Sequence, residues 1–425
     1  MKRFRMMLVV CLAWCGVARA PAQAPHAGPG PEEGTRRILE EVDQHSELMA
    51  NLEYLCDMIG PRLTGSQALN RASEWTRGKF QGYGLANVTL EGWKIPRSWT
   101  RGVASGRVVS PVEQRLRLES AGWAPGTEGP TRGRVILLKA EKPADLDAYR
   151  GKVRGAWILC GSGRIPPERR GFLSEEGAAG IFRDSNKEHG LINMTGANYD
   201  YSRARIPEAF LTSESYRLLA RLLGRGEVEV EIDVKNSFGD CEVEVFNTVA
   251  ELVGVEMPDE VVIVGGHIDS WDLGTGATDN GTGIMAVIEA ARALKASGVR
   301  PRRTIRFVLF AGEEQGLHGS KAYVEAHESE MDKISAVLVH DAGTGRVTNI
   351  GLQGRYDLRE IMDRVVGPFQ GRLNLDELSL RKMGGTDHLS FLPARVPAFA
   401  VVQHPAEYGK THHTQSDTFD KVDPA

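Results

Sequence analysis

Cysteine is scarce in this chain, with five among 425 residues. A fold held together by a disulfide framework is therefore excluded, and stability must come from burying apolar side chains, 41% of the total. No apolar run reaches the ~18 residues that mark a membrane-spanning helix, so no membrane span is expected. Positive charge is not in excess either. Lys and Arg total 52 against 56 Asp and Glu, a net charge of -4, so the basic face that nucleic-acid binding draws on is not in excess and no nucleic-acid partner is expected. Histidine is thin in the first half. Between residues 105 and 238 only His189 occurs, whereas eight of the eleven histidines lie between positions 267 and 413.

The N-terminus carries Lys2, Arg3 and Arg5, then the apolar run Met6–Ala18, then small-residue patterns such as Ala20-Pro21-Ala22 and Ala22-Gln23-Ala24. A basic start, an apolar stretch too short to span a bilayer and a small-residue site read as an export signal over residues 1–24. A secreted or periplasmic protein is predicted. Trp14 before Cys15 argues against a lipid anchor. Export leaves Cys56, Cys160 and Cys241, and none is expected to be catalytic. Residues 25–34 (PHAGPGPEEG) read as a flexible leader.

Apolar residues recur at helical spacing over 35–58, GPRLTGS (Gly60–Ser66) breaks the pattern, a second helix is expected from Gln67 to about Tyr83, and NVTLEGWKIP (Asn87–Pro96) alternates like a strand. Residues 105–238 hold short β-rich runs such as RVILL and GAWILC. They read as a separate domain inserted into a catalytic domain made of residues 35–104 and 239–425. From Phe246 strands alternate with helices: FNTVAELVG, EVVIVGGHID, TIRFVLFAG, ISAVLVHDAG and PAFAVVQ, with helices at about 281–298, 316–329 and 356–366. Near-continuous apolar strands separated by helices predict an α/β fold, a mainly parallel or mixed sheet sandwiched by helices. Ligands of such folds bind at the carboxyl ends of strands.

Each polar cluster sits at such an end. EVVIVGG runs into His267-Ile268-Asp269, TIRFVLFAG into Glu313-Glu314, ISAVLVH into Asp341, and PAFAVVQ leads to the loop with His412-His413; Asp279 follows in a loop after Thr275. Singly, each pair is a common turn or helix start. Jointly, at successive strand ends, they gather two imidazoles and several carboxylates on one rim. That mixture suits zinc, and the donor count suits two ions. The expected ligands are His267, Asp279, Glu314, Asp341 and His413, with Asp279 bridging. Three carboxylates against two divalent ions leave a residual positive charge that helps hold a hydroxide between them. Glu313 is expected to face the water as general base and to pass the proton to the leaving amine. Asp269 is placed to accept the other ring N–H of His267. His318, His327 and His404 are expected to be packing or surface residues.

GGHIDSWDLGTGATDNGTG (Gly265–Gly283), AGEEQGLHGS (Ala311–Ser320), HDAGTG (His340–Gly345) and HHTQSDTFD (His412–Asp420) together resemble the co-catalytic zinc exopeptidases of the aminopeptidase type. GPRLTGS, FNTVAELVG and GGTDHLSF (Gly384–Phe391) narrow the resemblance to one branch, and it extends over nearly all of the chain after the export signal. The resemblance implies a protease-associated insert at 105–238 and two zinc ions per chain. It places His267, Asp279, Glu314, Asp341 and His413 on the five ligand positions, Glu313 on the catalytic base and Asp269 on the partner of the first histidine. His412 falls where a residue contacts the substrate or the tetrahedral intermediate, able to donate to a developing oxyanion. It further implies a dipeptide or short peptide as substrate, and a homodimer. Which peptide terminus is read stays open between carboxypeptidase or dipeptidase and aminopeptidase action; Arg62 is a candidate for holding a free carboxylate. Two other readings share the architecture. A non-catalytic binding protein would be expected to have lost ligands, and none of the five is lost here. An amide cyclase would be expected to use a single metal.

Overall fold

The computed structural model describes residues 31–140, 142–341, 343–367 and 378–424. The predicted export signal and residues 25–30 of the predicted leader lie outside them. Residues 31–34, expected to belong to the leader, instead open the helix Pro31–His45. Its first turn carries Glu32 and Glu33, which suit the positive end of the helix dipole, and Glu33 pairs with Arg36 and Arg37 one turn on. Those interactions outweigh the loop-like composition.

A seven-stranded sheet forms the larger layer. Its order is Ala86–Ile95, Val243–Leu252, Arg303–Phe310, Met257–His267, Ile334–Val339, Ala398–Gln403, Val347–Gly351. The four strands Arg303–Phe310, Met257–His267, Ile334–Val339 and Ala398–Gln403 run parallel. The outer strands are antiparallel to their neighbours. The sheet is thus mixed, with the parallel set at its centre. The edge strand Val347–Gly351 has no counterpart among the predicted elements, because VTNIG is short and lacks a clean alternation.

Both faces of the sheet are covered. Helix Thr282–Ala296 packs between Met257–His267 and the N-terminal helices Pro31–His45 and Leu48–Glu53, so it is buried around most of its circumference. Two of its three charged residues, Glu289 and Arg292, lie in that interior and pair with one another (2.8 Å), and Arg292 also reaches Glu41 (2.6 Å); the third, Lys295, is exposed in the last turn. Burial of ionic groups is tolerated only with such partners. On the opposite face Phe310, Tyr323 and Phe391 meet edge to face or tilted and anchor helix His318–Ala326.

Residues 104–234 build a second sheet of eight strands, with helices Pro167–Glu175 and Ser213–Leu223 and apolar clusters of their own around Trp157, Phe182 and Leu219. The chain enters this unit through Trp99–Thr100 and leaves it through Ser237–Phe238, which pair as an antiparallel ribbon. Cys56, Cys160 and Cys241 are free thiols. Burial pushes Cys56 up to about 11 and Cys160 to about 12, the wrong direction for a nucleophile.

Candidate metal centre

The parallel strands bring their carboxyl ends to one rim. His267 is the last residue of Met257–His267. Glu313 and Glu314 occupy the turn after Arg303–Phe310, which Gly312 opens with φ 81°. His340 and Asp341 follow Ile334–Val339 directly. His412 and His413 come after the short helix Tyr408–Thr411, beyond Ala398–Gln403. Asp279 sits in the irregular turn Ala277–Gly281 that leads into helix Thr282–Ala296.

Side chains far apart in sequence meet there as two donor sets joined by Asp279. On one side His267 Nε2 lies 3.3 Å from Asp279 Oδ1 and 3.4 Å from Asp341 Oδ1. On the other His413 Nε2 lies 3.3 Å from Asp279 Oδ2 and 3.1 Å from Glu314 Oε2. All five predicted ligands are therefore brought together. His412 stacks on His413 (centroids 3.8 Å apart), and its Nε2 stands 3.8 Å from Asp279 Oδ2. Half-exposed and farther from the carboxylates, it flanks the second set as the weaker candidate for a ligand.

The loops bearing these groups are held by residues whose roles the sequence did not disclose. Arg62 is fully buried and donates to the carbonyls of Ile268 (2.7 Å), Thr275 (2.7 Å), Gly276 (2.9 Å) and Gly60 (3.3 Å). Its guanidinium is spent on the backbone around the Asp279 loop, which corrects the expectation that it takes a substrate carboxylate. Asp417 accepts from Thr278 N (2.6 Å), Thr278 Oγ1 (2.9 Å) and Asp279 N (3.1 Å). The only sequence signal for it was its place in HHTQSDTFD.

Asp269 does something other than expected. His267 Nδ1 lies 3.0 Å from the backbone carbonyl of Asp269 and 3.6 Å from its carboxylate. That carboxylate accepts from Thr64 Oγ1 (2.9 Å), Glu313 N (3.2 Å) and Glu314 N (3.3 Å). Three donors draw it away from the ring, so it positions the Glu313–Glu314 turn while its own carbonyl fixes the imidazole. Of the histidines expected to be bland, His318 caps Tyr199 O (2.7 Å) and His327 pairs with Glu91 (3.0 Å).

Electrostatically the rim is an acidic cluster in low dielectric. Burial first, then the fields of Asp341, Glu314 and Asp387, hold Glu313 well above the ordinary carboxylate range. Burial and Asp279 do the same to Glu314. For His267, burial works downward, but Asp341, Asp269 and Asp279 outweigh it and the imidazole is raised. Asp387, fully buried in the GGTDHLSF segment, is pushed up to about 7, chiefly by burial. Such a surplus of buried negative charge needs cations. His267 Nε2 and Asp279 Oδ2 are moreover buried without a hydrogen-bond partner. Ion ligation would satisfy both, and imidazole with carboxylate is a zinc-type donor set. A larger cavity of about 680 Å³ is lined by Arg164, Arg170, Tyr199, Gln315 and His318 among others, but by none of the five predicted ligands.

Residues 247–425 match peptidase family M28. Carboxypeptidase Q of Bos taurus is 31% identical, over 93% of this chain and 89% of its own length. Carboxypeptidase Q of Rattus norvegicus is 32% identical, over 88% and 80%. Among solved structures, a peptidase M28 precursor from Shewanella amazonensis shares the fold at TM-score 0.79 and 28% identity, with 92% of each chain covered. A zinc aminopeptidase from Bacillus subtilis shares it at TM-score 0.68 and 21% identity, over 89% and 90%. The branch to which GPRLTGS, FNTVAELVG and GGTDHLSF point is that of carboxypeptidase Q. With such identity spread along most of both chains, the chain belongs to peptidase family M28.

Proposed function

We propose that this protein is an exported exopeptidase that hydrolyses dipeptides or short peptides at a two-zinc centre. The observation that carries the proposal is the position of Asp279, whose two carboxylate oxygens face different donor sets, one with His267 and Asp341, the other with His413 and Glu314. Zinc bound in both sets would polarise the scissile carbonyl and acidify a water.

The chain's own residues do the rest. His267, Asp341 and Asp279 would hold one ion, and His413 and Glu314 with Asp279 would hold the other. Glu313 takes the proton of the attacking water on its carboxylate and returns it to the leaving amine. Asp269 keeps Glu313 aimed by accepting its backbone N–H. His412, neutral in the cleft because burial and then the adjacent His413 depress it, offers an N–H to the developing oxyanion. In the same proposal residues 105–238 are a protease-associated insert, residues 1–24 direct export, and the assembly is a homodimer. The paired entry and exit ribbon supports the first of these.

The test is Glu313→Gln. Turnover of a dipeptide should fall by a factor of about 10²–10⁴ while metal analysis still finds two zinc ions per chain. Undiminished turnover would remove Glu313 from the mechanism. Fewer than two ions in the active wild type would remove the two-zinc centre.

A further inference from the structure

We propose that the cavity of about 680 Å³, which the unit at 104–234 and the segment 315–321 enclose together, is an effector site for a small anion carrying carboxylate or phosphate groups, and that its occupancy is felt at the turn bearing Glu313. Binding at this cavity is independent of the exopeptidase reading above; only its effect on turnover rests on that reading.

Two parts of the chain build the walls. The smaller unit supplies helix Pro167–Glu175 and the connection between strands Gly180–Asp184 and Glu208–Leu211. The larger one supplies Gln315, Gly316, His318 and Lys321, which follow the Glu313–Glu314 turn directly. The volume is that of a small-molecule site. Five basic side chains line it against three acidic ones, and the acidic ones are committed. Glu208 accepts from Nε and Nη2 of Arg170 (3.0 Å each) and pairs with Arg183 (3.1 Å), so two cations answer one anion. Glu175 lies 3.8 Å from Arg205, and Asp200 accepts from Ser202 N (3.1 Å) and Oγ (2.6 Å). Lys321 is tied to Gly316 O (2.7 Å).

Arg164 and Arg203 remain. Among the described residues neither has a carboxylate partner. Each guanidinium lies over an aromatic ring instead, Arg164 over Tyr199 (4.6 Å) and Arg203 over Phe238 (5.5 Å). A guanidinium seated on a ring by its face keeps its N–H edge for an oxyanion, and carboxylate and phosphate both match that fork. A cationic ligand would meet surplus positive charge, and an apolar one would desolvate two guanidinium groups without pairing them.

The same walls touch the turn that carries the base. His318 Nε2 donates to the carbonyl of Tyr199 (2.7 Å), the residue under Arg164, and lies 3.2 Å from Gln315 O. Its ring packs on Tyr201 (centroids 4.9 Å apart). Tyr201 in turn sits against Gly312, where an added Cβ would stand 2.8 Å from its hydroxyl, and Gly312 opens the turn of Glu313 and Glu314. An anion that draws on Arg164 and Arg203 tightens the loop 199–203, and close packing passes the shift to that turn through Tyr201 and His318.

The experiment titrates zinc-loaded protein with glutarate and with glycerol 3-phosphate at constant ionic strength, by calorimetry and by dipeptide turnover, in wild type, Arg164→Gln and Arg203→Gln. Both arginines are exposed, so their replacement spares the core. Wild type should bind at least one of the two anions, and the tighter one names the source as carboxylate or phosphate. Each variant should weaken that binding about 10- to 100-fold, as losing a charge-assisted hydrogen bond does, with zinc content and anion-free turnover at the wild-type level. In wild type the anion should change kcat at saturating dipeptide by about 2-fold or more, the lower end of coupling through packed side chains. No binding of either anion, or binding that both variants retain, would overturn the site. An anion that raises KM alone, in wild type and variants alike, would belong to the metal centre and overturn the proposal. Binding that the variants lose, with no change in wild-type kcat, would overturn the effector role. Should wild type hydrolyse no dipeptide, the exopeptidase reading fails, and the calorimetric comparison alone decides the site.

Discussion

Replacing Asp417 with Asn probes whether the Asp279 loop is held in place for metal binding. The three groups that address the Asp417 carboxylate are Thr278 N at 2.6 Å, Thr278 Oγ1 at 2.9 Å and Asp279 N at 3.1 Å. Two of them are backbone N–H groups that can only donate. An amide in that place must turn its NH₂ toward one N–H, losing one bond and setting donor against donor. A bond to a charged acceptor is worth about 1.5–3 kcal/mol, so Asp417→Asn should cost roughly that much at the loop. Because both donor sets share Asp279, the displacement should weaken both sites, by about 10- to 100-fold in metal affinity. The assay strips the protein and titrates zinc back against a chelating dye, with thermal unfolding of the stripped and loaded forms in parallel. The loaded form should lose more stability than the stripped form, since part of its stabilisation is binding energy. Zinc affinity within a factor of ~2 of wild type, alongside lowered stability, would refute the claim.

Two further outcomes follow from buried networks. Arg62→Lys replaces a planar fork that meets four carbonyls with a single ammonium, and should cost about 3 kcal/mol in denaturant unfolding while KM for a dipeptide stays at wild type; a selective rise in KM would return Arg62 to the substrate. His327 is raised above its ordinary value, first by its hydrogen bond to Glu91, against burial, and then by the Glu91 and Glu330 charges. A raised folded-state value means its contribution is fully present below the unfolded value of ~6.5 and is lost as pH rises through the folded one. His327→Gln should therefore destabilise by about 1 kcal/mol near pH 5.5 and by much less near pH 9, as read from urea unfolding at each pH; a pH-independent deficit would trace the effect to its stacking on Tyr323 instead.

Much of the fold was legible because the strands that matter are buried on both faces. Val261–Val264 and Phe307–Phe310 read as continuous apolar runs, and such runs mark interior strands whatever their partners. The ligand positions were legible for the same reason: a strand that must end at a rim places the next polar residues there, as with His267, Glu313-Glu314 and Asp341. What holds those residues was not. Arg62 and Asp417 act through backbone groups 206–214 and 138–139 residues away, and hydrogen bonds to backbone leave no mark in the identity of the partner. Asp269 was assigned to the His267 ring on proximity in sequence. Its carboxylate instead follows the stronger pull of three donors, two of them in the Glu313–Glu314 turn.

The C-terminal ligand shows most clearly how the two sheets depend on each other. His267, Glu314 and Asp341 lie at or within a few residues of the ends of parallel strands, and the ladder of the sheet fixes them. His413 has no such support. It follows the strand Ala398–Gln403 by a loop and a four-residue helix, and it sits at φ 55°, in the left-handed region where a non-glycine residue is strained by about 1–3 kcal/mol. That conformation persists because its surroundings over-determine it: Met194 N holds its carbonyl, Asn193 bridges Thr414, and Lys187 binds the turn before it. Each of these three residues comes from the unit at 104–234. The second donor set around Asp279 is thus completed by a residue whose geometry the smaller sheet imposes, and a shift of that sheet by a fraction of an ångström would be felt at His413 before it reached any other ligand.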